Sequence, residues 1–186
     1  MKFVKFTEKY QSLAQSFDCE NFVINNFLKS SDALDPNQGI TYILLDDEET
    51  QIVGFYNIGM TRIDQTQIVE KDTYYYPMGG SAVINYLAVT KDYKHHQYIP
   101  GEKYYYGDYI LNDCEEKICE LRKKIGFSFI MISSTEEGYH LYHDRNFYDD
   151  FEDDMSIFLK ESDKKGHLLY KWVDDLEFEN FSCAFS

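Results

Sequence analysis

The sequence predicts a mixed α/β (α+β) fold in a single domain, a central sheet flanked by helices. Three observations carry this reading. Runs with β-type alternation interleave with runs whose apolar residues recur every three or four positions. No internal repeat or Pro-rich linker interrupts them, the prolines numbering three. Hydrophobic residues make up 44% and aromatics 17% of the 186 residues, enough to bury a substantial core.

The elements follow in order. Residues 17–34, "FDCENFVINNFLKSSDAL", read as a short helix with apolar positions 22, 23, 24, 27 and 28 and Asp18 as its cap. "ITYILL" (40–45) and "QIVGFYNIGMTRI" (51–63) are β runs, and the acidic turn "DDEET" between them makes a hairpin. The stretches 34–39, 71–80 and 94–103 read as turns or loops. "SAVINYLAV" (81–89) is apolar on both faces except at Asn85, the mark of a central strand. From Gly107 onward, Ile110, Leu111, Cys114, Ile118, Leu121 and Ile125 define the strongest helix. Arg122, Lys123 and Lys124 lie in its last turn, with Gly126 beyond as the stop. "FSFIMI" (127–132) is a buried strand, and Ser134 and Glu137 have capping-box spacing at the start of another helix. That helix ends near Arg145, Asn146 takes the left-handed position, and Phe147 opens the next strand. "MSIFL" (155–159) is a strand, and "GHLLYKWVDDLEF" (166–178) forms the tail.

Charge restricts the partners. The formal net charge is −15 and the pI about 4.6. Nucleic-acid affinity rests on Lys and Arg displacing counterions, so nucleic acid and anionic membranes are disfavoured. "MKFVKFTEKYQ" has no apolar run after its lysines and is no signal peptide, and no stretch is long and apolar enough to span a bilayer. A cytoplasmic protein is expected. Cys19, Cys114, Cys119 and Cys183 form no CxxC pair and read as reduced structural thiols. His140 and His143 lie near Asp144, but with no third ligand in pattern no metal site is expected.

One succession bears chemistry: "INYLAV", a loop, a Gly-led helix, "FSFIMI", then "TEEGYHLYHDRNF". This order resembles the GNAT superfamily of acetyltransferases. The family pattern, roughly Asn-x-x-Ala-x-x-Leu-Tyr-x-x-x-Gly-Phe, is matched at Leu141, Tyr142 and Phe147, with Thr135, Gly138 and Asn146 at its other positions. "FDCENFVINNFL…TYILLDDEETQIVGFYNI" looks like the opening of members related to the toxins of toxin–antitoxin pairs, and "LLYKWV" is similar to their closing strand. The resemblance divides the chain into a helix and hairpin (1–63), a cofactor-binding core (81–159) and a tail (160–186).

The resemblance implies acetyl-CoA as co-substrate and direct attack by an amine. Backbone N–H groups at Leu87, Ala88 and Val89 would polarise the acetyl carbonyl. Tyr142 would protonate the leaving thiolate, and Thr135 would bond the pantetheine arm. The family's compact Gly-rich phosphate loop is replaced here by the longer "TKDYKHHQYIPGEKYYYGDYIL", which keeps Gly101 and Gly107. Lys91, Lys94 and Lys103, with His95 and His96, make this loop locally basic. Gly107, Asp108 and Tyr109 open the helix expected to receive the pyrophosphate. Asn85 and the Tyr74–Tyr76 cluster, Tyr75 in particular, are candidates for the acceptor pocket. An acidic protein suits a cationic acceptor: a polyamine, an aminoglycoside-like amine or a lysine-rich peptide. Two alternatives stand beside it, a toxin-like enzyme acting on aminoacyl-tRNA and a degenerate binding protein of the same fold. A homodimer is expected from the resemblance.

Overall fold

A computed structural model of the chain describes residues 1–157 and 166–176. Phe158, Leu159 and Cys183, with most of the predicted 160–186 tail, lie outside the described residues. The elements are β1 (Lys2–Lys5), α1 (Gln11–Ala14), α2 (Phe22–Lys29), β2 (Ile40–Leu45), β3 (Ile52–Val69), β4 (Asp72–Val89), α3 (Tyr106–Arg122), β5 (Phe129–Ser134), α4 (Glu136–Asn146), β6 (Asp149–Asp150), β7 (Met155–Ile157) and β8 (His167–Trp172). This is the expected mixed fold of sheet and helices. The backbone clusters into two compact units, Met1–Gly59 with Ile84–Glu116, and Met60–Val83 with the described residues from Lys117 on. Their boundaries fall inside β3, β4 and α3 rather than in a linker.

In the first unit β1 pairs antiparallel with β2, and β2 with β3 in the register Ile43↔Phe55, with an irregularity at Leu44/Leu45. Phe17, Phe27, Leu28, Ile43, Phe55 and Ala88 share one apolar core. Phe17 meets Phe55 edge-on at 5.4 Å, and Phe27 stacks on Tyr86 at 4.2 Å. Tyr56 is fully buried with its hydroxyl on Asp113 at 2.5 Å, and burial followed by this carboxylate pushes its pKa far up. In the second unit β5 pairs antiparallel with β8 (Met131↔Tyr170), β6 flanks β8, and β7 lies against residues 63–65 of β3. Ile63, Val83, Phe129, Met131 and Tyr170 form its core.

Several local expectations are corrected. The first helix is shorter than 17–34 because Asn21, not Asp18, caps it: its side chain accepts from the N–H groups of Val23 and Ile24. Ser30 then caps a separate 3₁₀ turn, Ser31–Leu34. Residues 71–80 are strand rather than loop. Thr73 and three consecutive tyrosines suit a pleated surface, so the hairpin continues to a turn at Glu70, which has φ 58°.

α3 stops at Arg122, and Gly126 does not adopt positive φ, whereas Gly39 and Gly101 do. The buried strand runs 129–134, two residues later than predicted. Thr135, not Ser134, caps α4, its hydroxyl accepting from Gly138 N–H at 3.2 Å. The left-handed residue after α4 is Phe147 (φ 57°, ψ 39°) rather than Asn146. Asn146 stays helical because its side-chain amide donates to Leu141 O at 2.6 Å. The next strand therefore begins at Asp149, not Phe147.

Candidate active site

The predicted residues belong to both units. In the first, β4 delivers Leu87, Ala88 and Val89 to a strand end held from two sides. Thr90 N–H donates to Val53 O at 2.8 Å, and Lys91 N–H donates to Asp18 O at 2.8 Å. Asn85 is exposed, and its amide donates to Asn57 Oδ1 at 2.7 Å and to Gln38 O at 3.3 Å. Buried Asn57 donates in turn to Thr41 Oγ1 at 2.9 Å. Asn85 is thus an amide at the end of a polar chain, with no capacity to act as a base.

The long loop has a structure of its own. Gln97 and Tyr105 form a bridge, Tyr98 N–H donates to Tyr104 O at 2.8 Å, and Gly101 (φ 89°) sits within the excursion. Tyr98 stacks on Tyr109 at 3.9 Å and 11°, which fastens this small hairpin to α3. Tyr109 is therefore a packing residue; burial, followed by its bond to Tyr98, raises its pKa.

The loop's basic character is partly cancelled. Lys91 Nζ lies 3.0 Å from Asp18 Oδ2, and Lys94 Nζ 3.1 Å from Glu20 Oε2. Asp18 is held at a pKa of about 2 by the Glu20 N–H, then by Lys91 and Asn25. Lys103 is exposed and has no ion pair among the described residues. His95 takes a left-handed backbone (φ 62°), and His96 O accepts from Tyr106 N–H at 3.3 Å.

At the start of α3 the Asp108 carboxylate, 5% exposed, accepts from Tyr105 N–H at 2.8 Å. This is a capping arrangement in which the third helical residue reaches back. It places a carboxylate where a phosphate was expected, so Asp108 can serve an anion only through its backbone N–H. Of the residues expected at a pyrophosphate, Lys103, His95 and His96 lie in this loop, and Gly107 and Asp108 in the first turn of α3.

In the second unit β5 leads into α4. Tyr142 is 4% exposed, its ring edge-on to Tyr148 at 5.7 Å, and Tyr148 N–H donates to Tyr142 O at 3.1 Å. A Cβ on Gly138 would already lie 3.4 Å from the Tyr142 ring, so a small residue there leaves the tyrosine its place. Thr135 is exposed at the helix start, and capping uses its hydroxyl as acceptor, leaving the proton to donate. Tyr75 is 60% exposed on a ribbon open to solvent.

His140 and His143 both bond Asp144, at 2.5 and 2.8 Å, and Tyr139 OH donates to Asp150 at 2.9 Å. The Asp144 bond is the first cause raising the His143 pKa, with the Asp150 charge next among the raising ones. No group of three or more metal-ligating side chains occurs among the described residues.

An open groove of about 330 Å³, absent from the sequence reading, lies in the first unit. Phe22, Val23, Asn26, Phe27, Asp32 and Tyr86 line it with Ser30. Its signal in the sequence was Phe22 and Val23, apolar residues at a helix start that stay exposed in the fold.

No protein-family model and no curated protein sequence matches the chain. Solved structures match it over nearly its whole length. AtaTR bound with acetyl-CoA superposes with a TM-score of 0.70 and 15% identity, covering 95% of this chain and 96% of that one. A KacTA–DNA complex gives 0.67 and 13%, covering 97% and 98%. AtaT complexed with acetyl-methionyl-tRNA gives 0.66 and 13%, covering 95% and 97%. At these identities it is the fold that is shared: the chain has the GNAT-type fold, in the form seen in the toxins AtaT and KacT.

Proposed function

We propose that this protein is an N-acetyltransferase that moves the acetyl group of acetyl-CoA to a primary amine. The observation that carries the reading is the end-to-end fold match to a protein bound with acetyl-CoA. The buried Tyr142 after β5 and the fixed "LAV" strand end support it. The neutral amine attacks the thioester carbonyl; an N–C bond forms and the C–S bond breaks. Backbone N–H groups of Leu87 to Val89 bear the oxygen charge as it develops. Tyr142 gives its proton to the departing thiolate, the amine's proton passes to solvent, and solvent returns one to the Tyr142 phenolate. Thr135 orients the pantetheine arm, and Asn85 orients the acceptor. Gly107, the Asp108 N–H, His95, His96 and Lys103 hold the phosphates, with Lys94 joining them by exchanging Glu20 for the anion.

Calorimetric titration with acetyl-CoA is the test. Micromolar binding, about −8 kcal/mol, is expected. Absence of binding would return the chain to a binding protein that keeps the fold without the co-substrate.

A second reading names the acceptor as the amino group of an aminoacyl-tRNA. It is favoured by the match to AtaT complexed with acetyl-methionyl-tRNA and opposed by the net charge of −15. Added protein with acetyl-CoA would then arrest a cell-free translation reaction, and translation at an undiminished rate would remove this reading.

A further inference from the structure

We propose that the groove beside α2 binds a primary ammonium carried on an apolar or aromatic arm, with Asp32 as counter-ion. The ligand's role as the acetyl acceptor rests on the acetyltransferase reading above; its binding does not.

The groove's floor is built by packing. Phe27 stacks on Tyr86 at 4.2 Å and 25°, and on Phe55 at 6.3 Å and 19°, so the apolar wall is a fixed aromatic layer. Its rim is apolar where a solvated helix start should be polar: Phe22 is 78% exposed and Val23 64%. α2 gains nothing from these two in the core, which takes Phe27 and Leu28. The volume of about 330 Å³ falls at the small end of ligand sites, the size of a single ring with a short arm.

The polar side selects the sign of the charge. Ser30 is occupied, donating to Phe27 O at 2.9 Å and accepting from Asp32 N–H at 3.1 Å. Neither the Asp32 carboxylate nor the Asn26 amide has a partner among the described residues. A carboxylate beside aromatic faces attracts a cation twice over, by ion pairing and through the ring quadrupoles. Acidic residues outnumber basic ones 33 to 18 across the chain, which turns anions away. Tyr86 directly precedes Leu87 on β4, so a ligand on this ring lies one residue along the strand from the backbone assigned to the thioester, with the Leu87 side chain on the opposite face. Two sources share the chemistry: a free arylalkylamine, and an amino acid with an apolar side chain esterified through its carboxyl.

Backbone-amide NMR of the full chain, without acetyl-CoA, tests this with three probes: phenethylamine, phenylalanine methyl ester and the neutral phenethyl alcohol. Both amines should shift amides within 22–32 and at Tyr86, and bind more tightly than the alcohol. Asp32→Asn should weaken both amines about fivefold and leave the alcohol unchanged, while Phe22→Ser should weaken all three. Tighter binding of the ester assigns the aminoacyl source, and tighter binding of phenethylamine the free amine. Equal binding of amine and alcohol, shifts centred elsewhere, no saturation, or indifference to Asp32→Asn overturns the proposal. Asp32 and Phe22 are exposed, so both variants should fold, which circular dichroism checks. Amine binding without acetyl-CoA binding keeps the groove and removes the acetyltransferase reading; the reverse result keeps that reading and removes the groove.

Discussion

Replacing Tyr142 by phenylalanine removes one hydroxyl and leaves the ring against Tyr148, so the fold should survive. If the hydroxyl protonates the thiolate, Tyr142→Phe should lower turnover about a hundredfold and leave acetyl-CoA affinity nearly unchanged. Thiol release measured beside calorimetry separates the two effects, and full turnover would make the residue a packing tyrosine. Asp18 offers a test by pH. Its folded pKa of about 2 lies below the value near 3.9 of an unfolded aspartate. The stabilisation is therefore complete above the unfolded value and lost as pH falls through the folded one. Proteolysis within 91–105 should accelerate between about pH 4 and pH 2, and Asp18→Asn should show that sensitivity already at neutral pH.

At the scale of elements, glycines separate close packing from mere flexibility. A Cβ on Gly54 would lie 2.3 Å from Ile110 Cδ1 and 2.6 Å from Ala88 O. Gly54→Ala should therefore cost about 1–3 kcal/mol in a urea melt. Gly126, after α3, meets nothing within 4 Å and has no positive φ, so Gly126→Ala should be neutral or raise stability by about 0.5 kcal/mol.

α4 carries a titratable surface of the opposite sign to Asp18. The His143 pKa is raised, so its contribution is fully present below an unfolded value near 6.5 and is lost as pH rises through the folded value. The groups facing it are Asp144, His140 and Tyr139 on its own helix and Asp149 and Asp150 on β6. Corrected hydrogen-exchange protection of α4 should be higher at about pH 6 than at about pH 8, and His143→Asn should abolish the difference.

For the whole molecule, charge and ligand act in opposite directions. At −15 the folded chain repels itself. Acetyl-CoA at a hundredfold excess over its Kd would add about 2.7 kcal/mol, a rise in Tm of roughly 5–10 °C. A thermal melt reads that directly, and an unmoved Tm would count against the site. No described helix is long and apolar enough to cross a membrane.

The sequence by itself determined the type and order of the principal elements from α2 to α4, while β1 and α1 went unread. The periodicity of 110–121, the β runs 40–45 and 51–63, and the succession "LAV", helix, strand, Tyr142 are local patterns that tertiary contacts reinforce. Boundaries escaped it where neighbouring polar side chains offered alternative places to stop or start a helix. Asn21 displaced Asp18 as a cap, Thr135 displaced Ser134, and Phe147 took the left-handed turn because Asn146 was already bonded to Leu141. The extension of β4 through three tyrosines escaped it too, since Gly and Pro in 71–80 read as punctuation.

The electrostatics around the candidate residues were not legible in the sequence. Counting lysines makes the 91–103 loop basic, whereas Asp18 and Glu20, some seventy positions earlier, neutralise two of them. Asp108 reads as a helix-start residue, and only the structure shows its buried carboxylate turned back onto Tyr105 N–H. The groove likewise joins α2 to a ring sixty residues away on β4. Charge pairing and concavity depend on distances through space, and only the tertiary structure fixes those.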